Sequence, residues 1–165
     1  MEPERAGRLA ALGNLHSRPA EPCRYWPDGM KLWFVDDKRE NHETWSNSFP
    51  EPVKQACELR SFYSVATLID ELDSGSFPDI LFLDFFIGER LGVEVIRWFE
   101  SKDCRPVLIA HSSMNEANEG MVTEGADFSL EKIKNRTHTD SIMRVFKDIE
   151  DIVYTVKNRA IREGP

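Results

Sequence analysis

Three acidic residues stand directly after short apolar segments of the sequence. Asp36 and Asp37 follow KLWFV, and Asp84 follows ILFL. A carboxylate at the end of a buried strand costs free energy unless a metal ion, a cation or a hydrogen-bond donor pairs with it. These positions therefore predict a site that holds charge.

Two further apolar segments end in polar residues of other kinds. PVLIA leads into His111, Ser112 and Ser113, and ADFSL leads into Glu131 and Lys132. Carboxylates suit a hard cation such as Mg²⁺. A carboxylate can also be the nucleophile that forms an aspartyl phosphate, with a lysine neutralising the phosphoryl charge and a hydroxyl bonding its oxygens. The set predicts phosphoryl chemistry that depends on Mg²⁺.

Each residue alone has a simpler interpretation. A single Asp after a strand is commonly a turn residue, and the pair Asp36-Asp37 can favour the N-terminus of a following helix. The order of all the polar strand ends together favours a site.

The elements that must position these residues alternate along the chain. Five segments predict strands: KLWFV, ELRSFYS, DILFL, PVLIA and ADFSL. SVATLIDELDSG and LGVEVIRWFESK predict helices, whereas Pro50 and Pro52 should interrupt any helix begun near Glu40. Alternation of this kind predicts an α/β fold with a five-stranded, parallel, doubly wound sheet. The carboxyl ends of such strands meet at one edge, so the polar residues should converge.

Composition limits the remaining function classes. The 165 residues carry 21 basic and 29 acidic side chains and a net charge of −8, which disfavours nucleic acid as a partner. Cys23, Cys57 and Cys104 lack the spacing of a disulfide framework or a zinc site. No apolar run has the length of a membrane span or the form of a signal peptide, so we expect a cytoplasmic protein without a membrane partner. Residues 1–29 are expected to be a flexible tail, and Met30 could be an alternative start.

The motifs resemble those of the response-regulator receiver (CheY-like) domain, in a divergent form. The matching segments are VDD, LFLD, PVLIA with hydroxyls after it, and GAD followed by Lys132. The resemblance implies a receiver core over residues 30–136. It further implies that Asp36, Asp37, Asp84 and the backbone carbonyl of Phe86 hold Mg²⁺. Asp84 would then accept phosphoryl from a histidine kinase or a phosphotransfer protein.

Several positions depart from the receiver pattern. His111 stands where a switch hydroxyl is expected and Ser112 follows it, Ser129 beside Phe128 stands where an aromatic residue is expected, and Ile133 replaces a proline. MKLWFVDDKRE and HSSMNEANEGM are also similar to a receiver branch proposed to process cyclic phosphates. In that interpretation His111 is an acid or base, because imidazole titrates near neutral pH. His16, His42 and His138 lie among polar residues in the sequence and are given no chemistry.

The last segment, residues 137–165, predicts a helix longer than a receiver needs. Ile142, Phe146, Ile149, Val153, Val156 and Ala160 repeat at alternating spacings of four and three. This repeat is typical of a coiled coil and allows either a homodimer or a helix packed on its own domain.

These observations lead to three hypotheses. The first is a stand-alone receiver, phosphorylated on Asp84, that acts as an interaction switch or a phosphorelay member in two-component signalling toward an unknown output protein. The second is an enzyme that processes a cyclic phosphate ester with His111. The third is a receiver-like scaffold that works without phosphorylation.

Overall fold

The strands of the sheet lie close to their predicted positions. The computed structural model describes residues 29–49, 51–103, 105–132 and Asp151. Its strands are β1 (Lys31–Val35), β2 (Glu58–Phe62), β3 (Ile80–Leu83), β4 (Phe86–Ile87), β5 (Arg90–Leu91), β6 (Val107–Ala110) and β7 (Phe128–Ser129). Its helices are α1 (Arg39–Asn47), α2 (Glu51–Ala56), α3 (Val65–Asp73), α4 (Gly92–Glu100) and α5 (Asn115–Glu124).

Five of these strands form one parallel sheet in the order β2-β1-β3-β6-β7. This order confirms the predicted doubly wound α/β fold. The chain moves outward from β1 in one direction to β2 and then returns to β3 on the other side, so the strand order reverses between β1 and β3. In open α/β sheets, this reversal opens a crevice at the carboxyl ends of the strands.

The sheet is buried on both faces, which explains why its central strands are apolar at every position. Leu32 and Phe34 of β1 pack in one cluster with Trp45 of α1. Trp33 and Val35 point to the opposite cluster, which contains apolar residues of α3, α4 and α5. Side chains alternate across a strand, so a strand covered by helices on both faces needs apolar residues throughout.

The segment after β1 is more regular than the sequence suggests. Helix α1 runs for nine residues, and the predicted interruption occurs only after it has ended. Pro52 lies in the first turn of α2, where its missing N–H would have no intrahelical partner in any case.

A short hairpin after β3 was not predicted. Strands β4 and β5 pair antiparallel around Gly88, which has a φ of 62°. A positive φ is readily adopted by glycine, which explains the residue type at this turn. The hairpin leads directly into α4.

Two predictions concern parts of the chain outside the described residues. The predicted tail is described only at Gly29, and the predicted last helix with its heptad repeat only at Asp151, which is helical and buried. Within the described residues, no helix has the length and apolar character needed to cross a membrane.

Candidate functional site

Three acidic side chains meet at the carboxyl edge of the sheet. Asp36 and Asp37 follow β1, and Asp84 follows the neighbouring strand β3. Each offers a carboxylate oxygen, and these oxygens lie within 4.8 Å of one another. Asp36 is fully buried, Asp84 is half-buried and Asp37 is exposed. The cluster therefore lies in the crevice where the strand order reverses.

Asp36 is held by hydrogen bonds at all three of its oxygen atoms. Its Oδ1 accepts from the backbone N–H of Lys38 at 2.8 Å, and its Oδ2 accepts from Asn41 Nδ2 at 2.9 Å and from Lys132 Nζ. Its backbone oxygen accepts from His42 Nε2 at 2.6 Å. Burial by itself would raise the pKa of Asp36, but the hydrogen bond and charge of Lys132, with the donors from Lys38 and Asn41, outweigh burial and leave that pKa below its ordinary value.

Asp84 receives fewer hydrogen bonds. Its Oδ1 accepts from the adjacent N–H of Phe85 at 2.8 Å, and its Oδ2 lies 3.1 Å from Lys132 Nζ. Burial raises the pKa of Asp84 from 3.8 to about 6; Lys132 opposes this increase and the negative charge of Asp36 adds to it. Asp84 is thus a partly exposed carboxylate with an incomplete set of donors.

The backbone of Asp84 lies unusually close to helix α4. A Cβ atom added at Gly92 would lie 2.1 Å from the carbonyl oxygen of Asp84, well inside van der Waals contact. Only glycine fits this approach without a shift of the backbone. Gly92 therefore allows the loop that carries Asp84 to pack against the start of α4.

Lys132 connects the two carboxylates. Its Nζ forms ion pairs with Asp36 and Asp84, and its side chain is only 11% exposed. Its backbone N–H donates to the carbonyl of Ser112 at 3.0 Å, which fixes the chain after β7 beside the chain after β6. The structure thus brings Lys132 to the acidic cluster, across 96 residues of sequence.

His111 and Ser112 are oriented differently from each other. The N–H of His111 donates to the carbonyl of Leu83 at 2.7 Å, which continues the register of β3 and β6 and puts His111 beside Asp84. The ring of His111 is buried against Phe34 and Phe82, and its Nδ1 donates to the carbonyl of Leu130. In this register His111 lies at the end of β6 opposite Asp84, so an imidazole occupies the position where the resemblance leads us to expect a hydroxyl.

The hydroxyl of Ser112 accepts a hydrogen bond from the backbone of Met114 at 3.2 Å. Asn118 fixes the backbone of Ser112 from both sides, because its Oδ1 accepts from the Ser112 N–H at 2.7 Å and its Nδ2 donates to the Ser112 carbonyl at 3.0 Å. Asn118 is itself buried. The contact of Ser112 with phosphoryl oxygens stays a prediction.

The sequence pattern does not single out three residues that support the site: Asn41, His42 and Asn118. The polar surroundings expected for His42 are wrong in the structure, because the residue is 3% exposed and its ring packs at tilted angles against Phe34 and Tyr63. Its sequence neighbours are polar, yet the helix turns this one side chain toward the sheet. A polar residue early in a helix that follows an acidic strand end was the available signal.

The donor atoms of the cluster fit Mg²⁺. Three carboxylates supply hard oxygen ligands. Because Asp37 is exposed, solvent reaches this side of the cluster, which suits a metal that keeps some of its waters. Phe86, whose carbonyl was predicted to be a further ligand, begins the hairpin two residues after Asp84, and its ring is 54% exposed. That carbonyl contact stays a prediction.

Comparison with solved structures identifies the fold. No protein-family model and no curated protein sequence matches the chain. Among solved structures, the CheY-like response regulator receiver domain from Methylobacillus flagellatus has a TM-score of 0.54 at 16% identity, over 72% of this chain and 99% of that one. The receiver domain of the Francisella response regulator 1452 has a TM-score of 0.57 at 14% identity, over 78% of this chain and 99% of that one.

These identities are too low to transfer residue roles, but the likeness extends over nearly the whole of each solved domain. It agrees with the strand order of the parallel sheet. The chain therefore has the fold of a CheY-like response-regulator receiver domain, in a divergent sequence.

Proposed function

We propose that the chain is a Mg²⁺-dependent phosphoacceptor that is modified on Asp84 and acts in two-component signalling. In this role it is an interaction switch or a phosphorelay member. Its partners are a histidine kinase or a phosphotransfer protein that supplies the phosphoryl group, and an output protein that distinguishes the two states of Asp84. Phosphorylation adds charge and strong acceptor oxygens at one point of the surface, which is a sufficient signal for such a partner.

The observation that carries this proposal is the unequal bonding of two carboxylates around one lysine. Asp36 has donors at every oxygen, whereas Asp84 has one backbone donor and shares Lys132. A nucleophile needs an oxygen with an available lone pair and access to the donor molecule. Asp84 meets both requirements better than Asp36, because it is the more exposed and the less hydrogen-bonded of the two.

In the proposed reaction an Oδ atom of Asp84 attacks the phosphorus of the donor. The bond between phosphorus and the leaving group breaks, and its electron pair leaves with that group, which is imidazole in a phosphohistidine or acetate in acetyl phosphate. Lys132 lies 3.1 Å from Asp84 Oδ2, where its charge would stabilise the negative oxygens of the transferring group.

Asp36, Asp37 and Asp84 would hold Mg²⁺, with the carbonyl of Phe86 as a further ligand. When bound, the ion would neutralise charge on the phosphoryl oxygens. The donors to Asp36 keep its carboxylate in one orientation, and Oδ1, which accepts one hydrogen bond, retains a lone pair for the metal.

The environment of His111 gives no specific support to the second hypothesis, the cyclic-phosphate enzyme. The ring is 2% exposed and its Nδ1 is bonded to the backbone of Leu130. These contacts fit a residue that connects the ends of β6 and β7. The scaffold hypothesis would be favoured if wild type gains no phosphoryl group.

The test is intact-protein mass spectrometry after incubation with acetyl phosphate and Mg²⁺. We expect wild type to gain the mass of one phosphoryl group, in an adduct that hydroxylamine removes, as expected of an acyl phosphate. Asp84→Asn should gain none, and omission of Mg²⁺ should abolish the gain in wild type.

Asp70→Asn is the matched control, because Asp70 is an exposed acid on α3 away from the crevice. It should be modified as wild type is. Absence of any gain in wild type, with phosphoramidate giving the same result, would reject the phosphoacceptor and favour the scaffold. Turnover of a cyclic phosphate ester that His111→Ala abolishes would favour the enzyme.

A further inference from the structure

The ring of His42 lies directly behind the acidic pair. It belongs to the second turn of α1 and sits between the rings of Phe34 and Tyr63, with centroid distances of 4.7 and 4.2 Å. Its Nε2 lies 2.6 Å from the backbone oxygen of Asp36. A carbonyl oxygen can only accept, so Nε2 carries the proton and donates.

The other ring nitrogen makes the choice of histidine at this position informative. Nδ1 is buried and has no hydrogen-bond partner within the described part of the chain. A buried polar atom without a partner lowers stability. Phenylalanine would fill the same space between two aromatic rings without that cost, so packing alone does not explain the histidine. The feature that phenylalanine lacks is the N–H that bonds Asp36.

We propose that His42 is a positioning residue for the acidic pair: its Nε2–H holds the peptide unit between Asp36 and Asp37 and so sets the direction in which both carboxylates face the metal. The inference rests on the proposed function, since it concerns the same Mg²⁺ site. The carbonyl of Asp36 belongs to the peptide group that joins the two acids, and rotation of this group would redirect Asp37, the exposed member of the pair.

Two neighbouring contacts explain why this anchor is needed. Lys38 N–H and Asn41 Nδ2 hold the carboxylate of Asp36 but leave its carbonyl unrestrained. His42 supplies the missing restraint from the same helix. Tyr63, half exposed directly after β2, covers one face of the imidazole, and His42 as a whole is buried, so little solvent reaches its N–H.

The test compares two substitutions by amide NMR of the full chain, first without metal and then during titration with MgCl₂. His42→Phe keeps the ring and removes the donor, whereas His42→Gln offers a side-chain N–H. In the Phe variant, the Asp37 and Lys38 signals should shift in the metal-free protein, and the Mg²⁺ dissociation constant should rise about fivefold, the effect of one hydrogen bond. The Gln variant should recover most of the wild-type affinity.

Trp45→Phe is the matched control, since Trp45 packs on the same Phe34 one turn later and its indole nitrogen makes no hydrogen bond among the described residues. It should lower thermal stability and leave the Mg²⁺ affinity unchanged. Wild-type affinity in His42→Phe would overturn the proposal. Equal weakening in the Phe and Gln variants would also overturn it, because the ring rather than its donor would then be responsible. Failure of wild type to bind Mg²⁺ would instead reject the metal site of the proposed function.

Discussion

Asp36 and Asp84 occupy equivalent places at the ends of neighbouring strands and share one lysine. Their pKa values are nevertheless shifted in opposite directions. Hydrogen bonds outweigh burial at Asp36 and lower its pKa, whereas burial prevails at Asp84 and raises its pKa to about 6. At Asp36 the hydrogen bond and charge of Lys132 oppose burial most strongly, and the N–H of Lys38 and the amide of Asn41, at the start of α1, add donors that Asp84 does not receive. A complete set of donors produces a fixed ligand, and an incomplete set leaves a carboxylate available for reaction.

Removal of the Asp36 carboxylate, which receives the most hydrogen bonds, should have the largest effect on the free energy of unfolding. Asp36→Ala leaves the N–H of Lys38 and the amide of Asn41 without their acceptor and leaves Lys132 paired with Asp84 alone. We expect it to lower the free energy of unfolding by about 3 kcal/mol. Urea unfolding in metal-free buffer at pH 7 measures this loss. Asp37→Ala removes an exposed neighbour and should change the same quantity by about 0.5 kcal/mol or less. Equal losses of stability in Asp36→Ala and Asp37→Ala would show that the donors around Asp36 do not make it the more stabilising carboxylate.

Replacement of the Asp84 carboxylate by an amide should instead raise the free energy of unfolding. A raised pKa means that the folded protein binds the proton of Asp84 more tightly than the unfolded chain does. Its contribution to stability is therefore lost as pH rises from 3.8 through about 6. Two pKa units correspond to about 3 kcal/mol, which is the upper bound for the gain in Asp84→Asn at pH 7.5.

Urea unfolding of wild type and Asp84→Asn in EDTA tests this sign. We expect the variant to be the more stable by about 2 kcal/mol at pH 7.5 and by much less at pH 4.5, where wild-type Asp84 is already protonated. A difference that stays constant between the two pH values would show that ionisation of Asp84 is not its cause.

Metal binding should show the same titration. Mg²⁺ must displace the proton of Asp84, so the apparent affinity should fall as pH falls below about 6 and should be about tenfold weaker at pH 5 than at pH 7. Calorimetric titration with MgCl₂ at both pH values measures the change. Asp84→Asn should bind more weakly at each pH and with a smaller pH dependence. If the Mg²⁺ affinity of wild type does not depend on pH, protonation of Asp84 does not control metal binding.

The sequence was sufficient to predict the parts of the site that end strands. Apolar strands of a parallel sheet reveal their own ends, and the residues there must share an edge, so the sequence pattern alone assigns Asp36, Asp37, Asp84 and Lys132 to one site. The supporting residues were missed because their contacts depend on how each loop turns back.

One geometric rule would have found two of them. His42 and Asn118 are each the fourth residue of the helix that follows a strand, and each bonds the backbone of the residue six positions earlier, Asp36 and Ser112 respectively. Both side chains are buried, so their polar character alone disguised them as surface residues. The orientation of His111 depended on the register between β3 and β6, which short apolar strands do not specify by pattern alone.

Loss of one donor to Asp36 should have the smallest effect on stability. It makes the hydrogen bonding of Asp36 more like that of Asp84. Asn41→Ala removes one donor from Oδ2, so the pKa of Asp36 should rise toward its ordinary value. A lowered pKa stabilises the fold above the unfolded value and that stability disappears as pH falls through the folded pKa, so the variant should lose about 1 kcal/mol at pH 7. Titration of the Asp36 carboxyl carbon by NMR measures the pKa directly. Asn47→Ala, at an exposed position in the last turn of the same helix, should leave that titration unchanged. An unmoved midpoint in Asn41→Ala would mean that Lys132 and Lys38 alone hold Asp36 in its ionised form.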